Sequence, residues 1–192
     1  MGGHKSIAGL SDLYTVVVGL ALALGVGSIV GSEDIAPEPT VFLTGAALIV
    51  TLIPFYHGGL RHLQETYADD AVVRPSLILW DFVLLFLEAC LLLAAAASLG
   101  SAARVGWLLV VLWVVDIVWV TGSRLLGQSQ PSAWAFSNIV AVAAAASVLL
   151  VGPGEAREAV TLLVIAVART VADYALSRDF YFSADELGPS PR

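Results

Sequence analysis

The chain alternates between long apolar runs and short polar connections. Six runs stand out, approximately Leu13–Gly31, Val41–Gly59, Ser76–Leu99, Arg104–Gly122, Ala133–Gly152 and Ala156–Leu176. A helix needs roughly 20 apolar residues to cross the hydrocarbon of a bilayer, so each run reads as a spanning helix. The fold class predicted is an all-α integral membrane protein, a single bundle of six transmembrane helices. Residues 1–182 form that domain, and residues 183–192 read as a loose polar tail with two prolines. The first run is longer than a signal-peptide core of ~7–15 residues, and its basic flank is weak, so it reads as a retained helix. Pro54 lies inside the second run and predicts a kink near its end. The connections are too short for a separate soluble domain. The longest, Gly59–Pro75, reads as an extension of the second helix beyond the bilayer.

Composition supports the pattern. Apolar residues make up 58% of the chain and charged residues 13%, against ~25% charged in a typical soluble domain. The net charge of −7 with few cations excludes a nucleic-acid partner. The lipid bilayer is the partner this composition implies. Cys90 is the only cysteine, so no disulfide forms within the chain, and it reads as inert core. The glycine pair Gly27 and Gly31 and the alanine runs Ala94–Ala97 and Ala143–Ala146 read as helix-packing surfaces.

Charge also orients the bundle. With the N-terminus inside, the inner segments hold Lys5, Arg61, Arg74, Arg124, Arg178 and Arg192, and the outer segments hold Arg104 and Arg157. The outer connection Ser32–Thr40 carries acids and prolines and no cation. The positive-inside rule therefore places both termini in the cytoplasm. The lone Met1 and the Ala/Val/Gly/Arg-rich composition fit a prokaryotic inner membrane.

An ionisable side chain within a span costs about 2.5–3.5 kcal/mol on insertion scales, which makes it a candidate for function. The candidates are Asp81 and Glu88 on the third helix, Asp116 on the fourth, Asn138 on the fifth, and Arg169 and Asp173 on the sixth, with His57 near the inner end of the second. Tyr56, Arg61, Tyr174 and Arg178 form a rim. At a rise of ~1.5 Å per residue, these positions fall in the cytoplasmic half, with Glu88 deepest at about 18 Å. The outer half has almost none. Asp81 and Glu88 share a helix face. Arg169 with Asp173, and Tyr174 with Arg178, stand at i, i+4. His57, Arg61 and Glu65 form a row, and Trp113 and Trp119 flank Asp116. One guanidinium faces four carboxylates. Those left over must be protonated, paired with Arg61 or Arg124, or balanced by a cation.

A structural reading competes with this one, because polar groups between membrane helices also act as glue. On that reading His62 is a solvated rim residue, Trp80, Trp107 and Trp134 are interfacial anchors, and Arg169–Asp173 is a plain structural pair. Specific chemistries find little support. There is no HExxH and no Cys/His cluster, so no metal site is expected. The histidines do not sit on facing helices as a haem would need. No GxSxG or Walker loop occurs. The cofactor is left open. The string Phe55–Leu63, FYHGGLRHL, is a basic glycine corner that could meet an anionic headgroup.

The function expected is a permease or channel-like protein with a cytoplasm-facing polar cavity, binding a proton, cation or small solute. The alternatives are an enzyme acting on a lipid or small amphiphile at the inner leaflet, with His57 and Asp81 as acid and base, and a non-catalytic assembly subunit.

Overall fold

The computed structural model describes residues 3–30, 38–67, 74–128 and 130–182, with side chains from Gly9 onward. The polar tail, most of the connection 32–40 and residues 68–73 lie outside the described residues. Six long helices follow one another: α1 (Gly3–Val30), α2 (Pro39–Tyr67), α3 (Pro75–Ala96), α4 (Ala102–Leu125), α5 (Ser132–Val151) and α6 (Glu155–Leu176). A single-turn helix, α7 (Arg178–Tyr181), follows α6. All six long helices are apolar enough to span a bilayer, and no strand occurs among the described residues. The protein is a polytopic helical membrane protein.

The helices close a ring in the order α1, α2, α6, α5, α4, α3, with α4 and α6 also meeting across it. Six spans bring the start of α1 and the end of α6 to one side, here the terminal face. The outward surfaces are apolar: Val16, Leu20, Phe42, Leu79, Phe86, Val140, Val164 and Val171 are exposed. The polar residues Thr44, Thr51, Asp81, Glu88, Asp116, Asn138, Arg169 and Asp173 are buried. Lipid tails are as apolar as leucine, so polar groups gain by meeting each other and apolar ones lose nothing by facing out. Helix α1 shows the stripe plainly. Leu10, Tyr14, Val18 and Ala21 recur at helical spacing and are all buried.

Helix α2 runs unbroken through Pro54 and on to Tyr67, so the first part of the Gly59–Pro75 connection extends it as expected. Proline cannot donate to the carbonyl four residues back, which is that of Val50. The Thr170 hydroxyl on α6 donates to that oxygen at 3.1 Å and supplies what Pro54 lacks. On the opposite face, Glu155 accepts from the Ala102 backbone nitrogen at 2.6 Å, closing the open N-terminus of α4 with a carboxylate. The turn from α5 to α6 is Gly152-Pro153-Gly154, and both glycines have positive φ, 62° and 101°.

Packing expectations are corrected in part. Gly27 faces open space, while the tightly packed glycines are Gly45, Gly58, Gly59, Gly106 and Gly122. Within the alanine runs, Ala95, Ala96 and Ala145 are buried, as packing surfaces require. Cys90 is exposed on the outward face of α3 rather than in the core.

Candidate functional site

Glu88, Asp116, Arg169 and Asp173 line one small cavity, with Pro54, Phe55, Gly58, Gly59, Trp119, Trp134 and Tyr181 completing its walls. Its volume is about 10 Å³, the room one water molecule needs. The guanidinium of Arg169 is the hub. Its Nε donates to Asn138 Oδ1 at 2.9 Å. Its Nη1 stands 3.2 Å from Asp173 Oδ2, an ion pair without hydrogen-bond alignment. Its Nη2 lies 3.9 Å from Asp116 Oδ2. The ring of Phe55 covers its Cζ at 4.8 Å. Asn138 turns its amide nitrogen to Asp116 Oδ2, so one side chain bridges acid and base.

The charge account does not close. Three buried carboxylates, Glu88, Asp116 and Asp173, surround one guanidinium. Glu88 Oε1 and Asp173 Oδ1 are buried and accept no hydrogen bond. A buried carboxylate oxygen without a donor is costly, and the cavity beside it is sized for a water, a proton carrier or a small ion. No group of three or more His, Cys, Asp or Glu suited to a metal ion occurs among the described residues.

Asp81 is not part of this cavity. It shares the buried face of α3 with Glu88, but its oxygens are taken up elsewhere. Oδ2 accepts from Tyr67 at 2.6 Å and contacts His62 Nε2 at 2.9 Å, and Oδ1 accepts from Trp119 Nε1 at 2.8 Å. His62 Nδ1 meets Gln130 Nε2 at 2.6 Å and Thr66 Oγ1 at 3.2 Å. The Gln130 carbonyl in turn accepts from Arg124 Nε at 3.1 Å. This network ties α2, α3, α4 and the α4–α5 connection together. It corrects the expectation of His62 as a solvated rim residue: it is 1% exposed. The Trp119 indole is the partition, bonded to Asp81 at its nitrogen and lining the cavity with its ring.

The rim is aromatic. His57 Nδ1 lies 3.0 Å from the Tyr174 hydroxyl, and its ring centroid is 4.9 Å from that of Tyr181. Tyr56 stacks on Tyr14 at 6.3 Å. Arg61 pairs with Glu65 at 2.8 Å, as their i, i+4 spacing predicts. The expected Tyr174–Arg178 pair along one helix does not exist, because α6 stops at Leu176 and Arg178 begins α7 as an exposed residue. Trp134 is no interfacial anchor either. It is 3% exposed and stacked on Trp119.

The structure thus gathers Glu88, Asp116, Asn138, Arg169 and Asp173, and leaves His57, Tyr56, Arg61, Tyr174 and Arg178 at the terminal face, with Asp81 in its own network. It adds His62, Tyr67, Gln130, Tyr14 and Tyr181, which the sequence reading missed. A signal for His62 was present. Phe55, Gly58, Gly59 and His62 fall on one stripe once α2 is continued to Tyr67. Tyr181 had none, since its burial depends on the break between α6 and α7 at Ser177. Its burial holds the phenol's pKa above the usual value, and the charge of Asp173 adds to this. It therefore stays protonated and donates to Asp173 Oδ2 at 3.2 Å.

The chain matches no known protein family, no curated protein and no solved structure.

Proposed function

We propose that this protein is a small permease or channel-like protein that takes up a proton in the Glu88–Asp116–Asp173 cavity. One observation carries the reading. Three buried carboxylates share one guanidinium, and Glu88 Oε1 has no partner beside a water-sized space. A proton satisfies that oxygen and reduces the negative excess, and the cavity volume suits a proton or water better than a larger solute. Asp116 is the second acceptor, joined to Arg169 through Asn138, so a charge change at one is felt at the other. By the positive-inside rule the terminal face is cytoplasmic, and the composition suits a prokaryotic inner membrane.

The test is proton flux in proteoliposomes with an internal pH-sensitive dye and an imposed potassium diffusion potential. The unmodified protein should carry protons, and Glu88→Gln and Asp116→Asn should each lower the rate by about tenfold or more. Equal flux in all three, or none in the unmodified protein, rejects the reading.

One observation favours a second reading, an enzyme acting on an amphiphile. A groove of about 280 Å³ between α5 and α6, walled by Phe136, Val140, Ile165 and Ala168, reaches Arg169 from the lipid side. Such an enzyme would retain activity in detergent micelles without any sealed compartment, and a permease would show none.

A further inference from the structure

The segment after α6 covers the acid cavity. Ser177 ends α6, with φ −110° and ψ 24°, and the chain passes into the one turn of α7. Arg178 and Asp179 face outward, while Tyr181 turns inward and is 2% exposed. Its hydroxyl wedges between α2 and α6. On one side it meets Asp173 Oδ2 at 3.2 Å, and on the other it lies close against Gly58. A Cβ added at Gly58 would stand 3.1 Å from that hydroxyl and 3.4 Å from Trp134. By helix register, Gly58, Trp134, Asp173 and Tyr181 form the end of the cavity nearest the terminal face, and Glu88 lies deeper.

What holds this segment is side-chain contact: Phe180 meets Trp134 at 4.7 Å, and Phe182 meets Tyr174 at 6.1 Å and His57 at 6.3 Å. A single turn has no stability of its own. Tyr181 adds one side-chain hydrogen bond and ring contacts with Tyr174 at 4.4 Å, His57 at 4.9 Å and Trp134 at 6.1 Å. The closed arrangement leaves polar groups unsatisfied directly beneath it. Ser177 Oγ and Asp173 Oδ1 are both buried without a hydrogen bond. Opening would hydrate both, which offsets part of the lost ring contact.

We infer that Ser177–Phe182 is a lid, hinged at Ser177 and latched by Tyr181, that decides whether water reaches Glu88 from the terminal face. The inference deepens the proton reading and rests on it for its purpose, since it names the gate of the same cavity. The lid's geometry stands apart from transport, and so does its test. The full chain in micelles is treated with a water-soluble carbodiimide and a small amine. Modification of Glu88 and Asp116 is then read by peptide mass spectrometry. With Tyr181 in place, both acids should react slowly. Tyr181→Ala should raise the rate by about tenfold or more. Tyr181→Phe keeps the ring and loses the latch to Asp173, and Gly58→Ala crowds the hydroxyl, so each should give an intermediate rise. These two milder variants decide the matter should Tyr181→Ala fold poorly. Rates equal to the unmodified protein in Tyr181→Phe and Gly58→Ala, or fast modification already with Tyr181 present, overturn the lid. Faster modification in the variants with no proton flux in any protein keeps the lid and rejects the proton reading.

Discussion

His62 Nε2 and Asp81 Oδ2 lie 2.9 Å apart in the interior of the bundle, with side chains 1% and 0% exposed. They join α2 to α3 at the terminal face, and Gln130 carries the link on to the α4–α5 connection. Removing the imidazole leaves the Gln130 amide without its closest partner and takes one of three contacts from Asp81. His62→Ala should therefore destabilise the protein by about 1–3 kcal/mol, read from reversible unfolding in mixed micelles. Asp81→Ala strands the Tyr67 hydroxyl and the Trp119 indole as well, and should cost more. The double variant should cost less than the sum. Strict additivity would mean that the two groups are not coupled.

Pro54 and Thr170 form a second testable pair. The Val50 carbonyl, deprived of its helical donor by Pro54, depends on the Thr170 hydroxyl at 3.1 Å. Thr170→Val keeps the shape and removes the donor, so it should cost about 1–3 kcal/mol. In a Pro54→Ala background the backbone nitrogen at position 54 can serve Val50, and the same Thr170→Val change should cost little. An equal cost in both backgrounds would show that the hydroxyl does not stand in for the missing bond.

Asn138 should be as sensitive as the acids it serves. It gives a hydrogen bond to Asp116 and takes one from Arg169, as no other side chain among the described residues does. Asn138→Leu removes both and leaves two buried charged groups without a bridge. Proton flux should fall by about tenfold or more, whereas Asn138→Gln should retain part of it. Unchanged flux in Asn138→Leu would remove Asn138 from the site.

The extent to which this site was legible in the sequence follows from helix geometry. Apolar runs of spanning length give the six helices, and spacing puts Arg169 with Asp173 because both stand on one helix. Distances between helices are another matter. Asp81 and Glu88 share a face of α3, yet one faces His62 and the other the Arg169 cavity. The divergence depends on the Trp119 indole of α4 standing between them. Spacing along α3 carries no information about what α4 inserts there. Burial of His62 required knowing that the extension of α2 past Gly58–Gly59 packs against α3 instead of standing free beyond the bilayer. Those glycines are there for close approach. Gly59 receives the Tyr14 ring and Gly58 the Tyr181 hydroxyl.

Alkaline pH offers a last test, through Tyr181 itself. Burial raises the pKa of the docked phenol, with Asp173 adding to the shift. The undocked phenol ionises near about 10. A raised folded-state value means that the docked contribution is fully present below about pH 10 and is lost as pH rises beyond it. Tyr181→Phe cannot ionise, so it provides the reference. At pH 8 the unmodified protein should melt above Tyr181→Phe, because it keeps the bond to Asp173. As pH climbs past about 10 that gap should shrink and then change sign, since undocking of Tyr181 becomes coupled to loss of its proton. The other tyrosines are common to both proteins and cancel in the difference. A gap that stays constant through this range would mean that the Tyr181 hydroxyl is already in water, and the closed lid would then not be the resting arrangement of the terminal face.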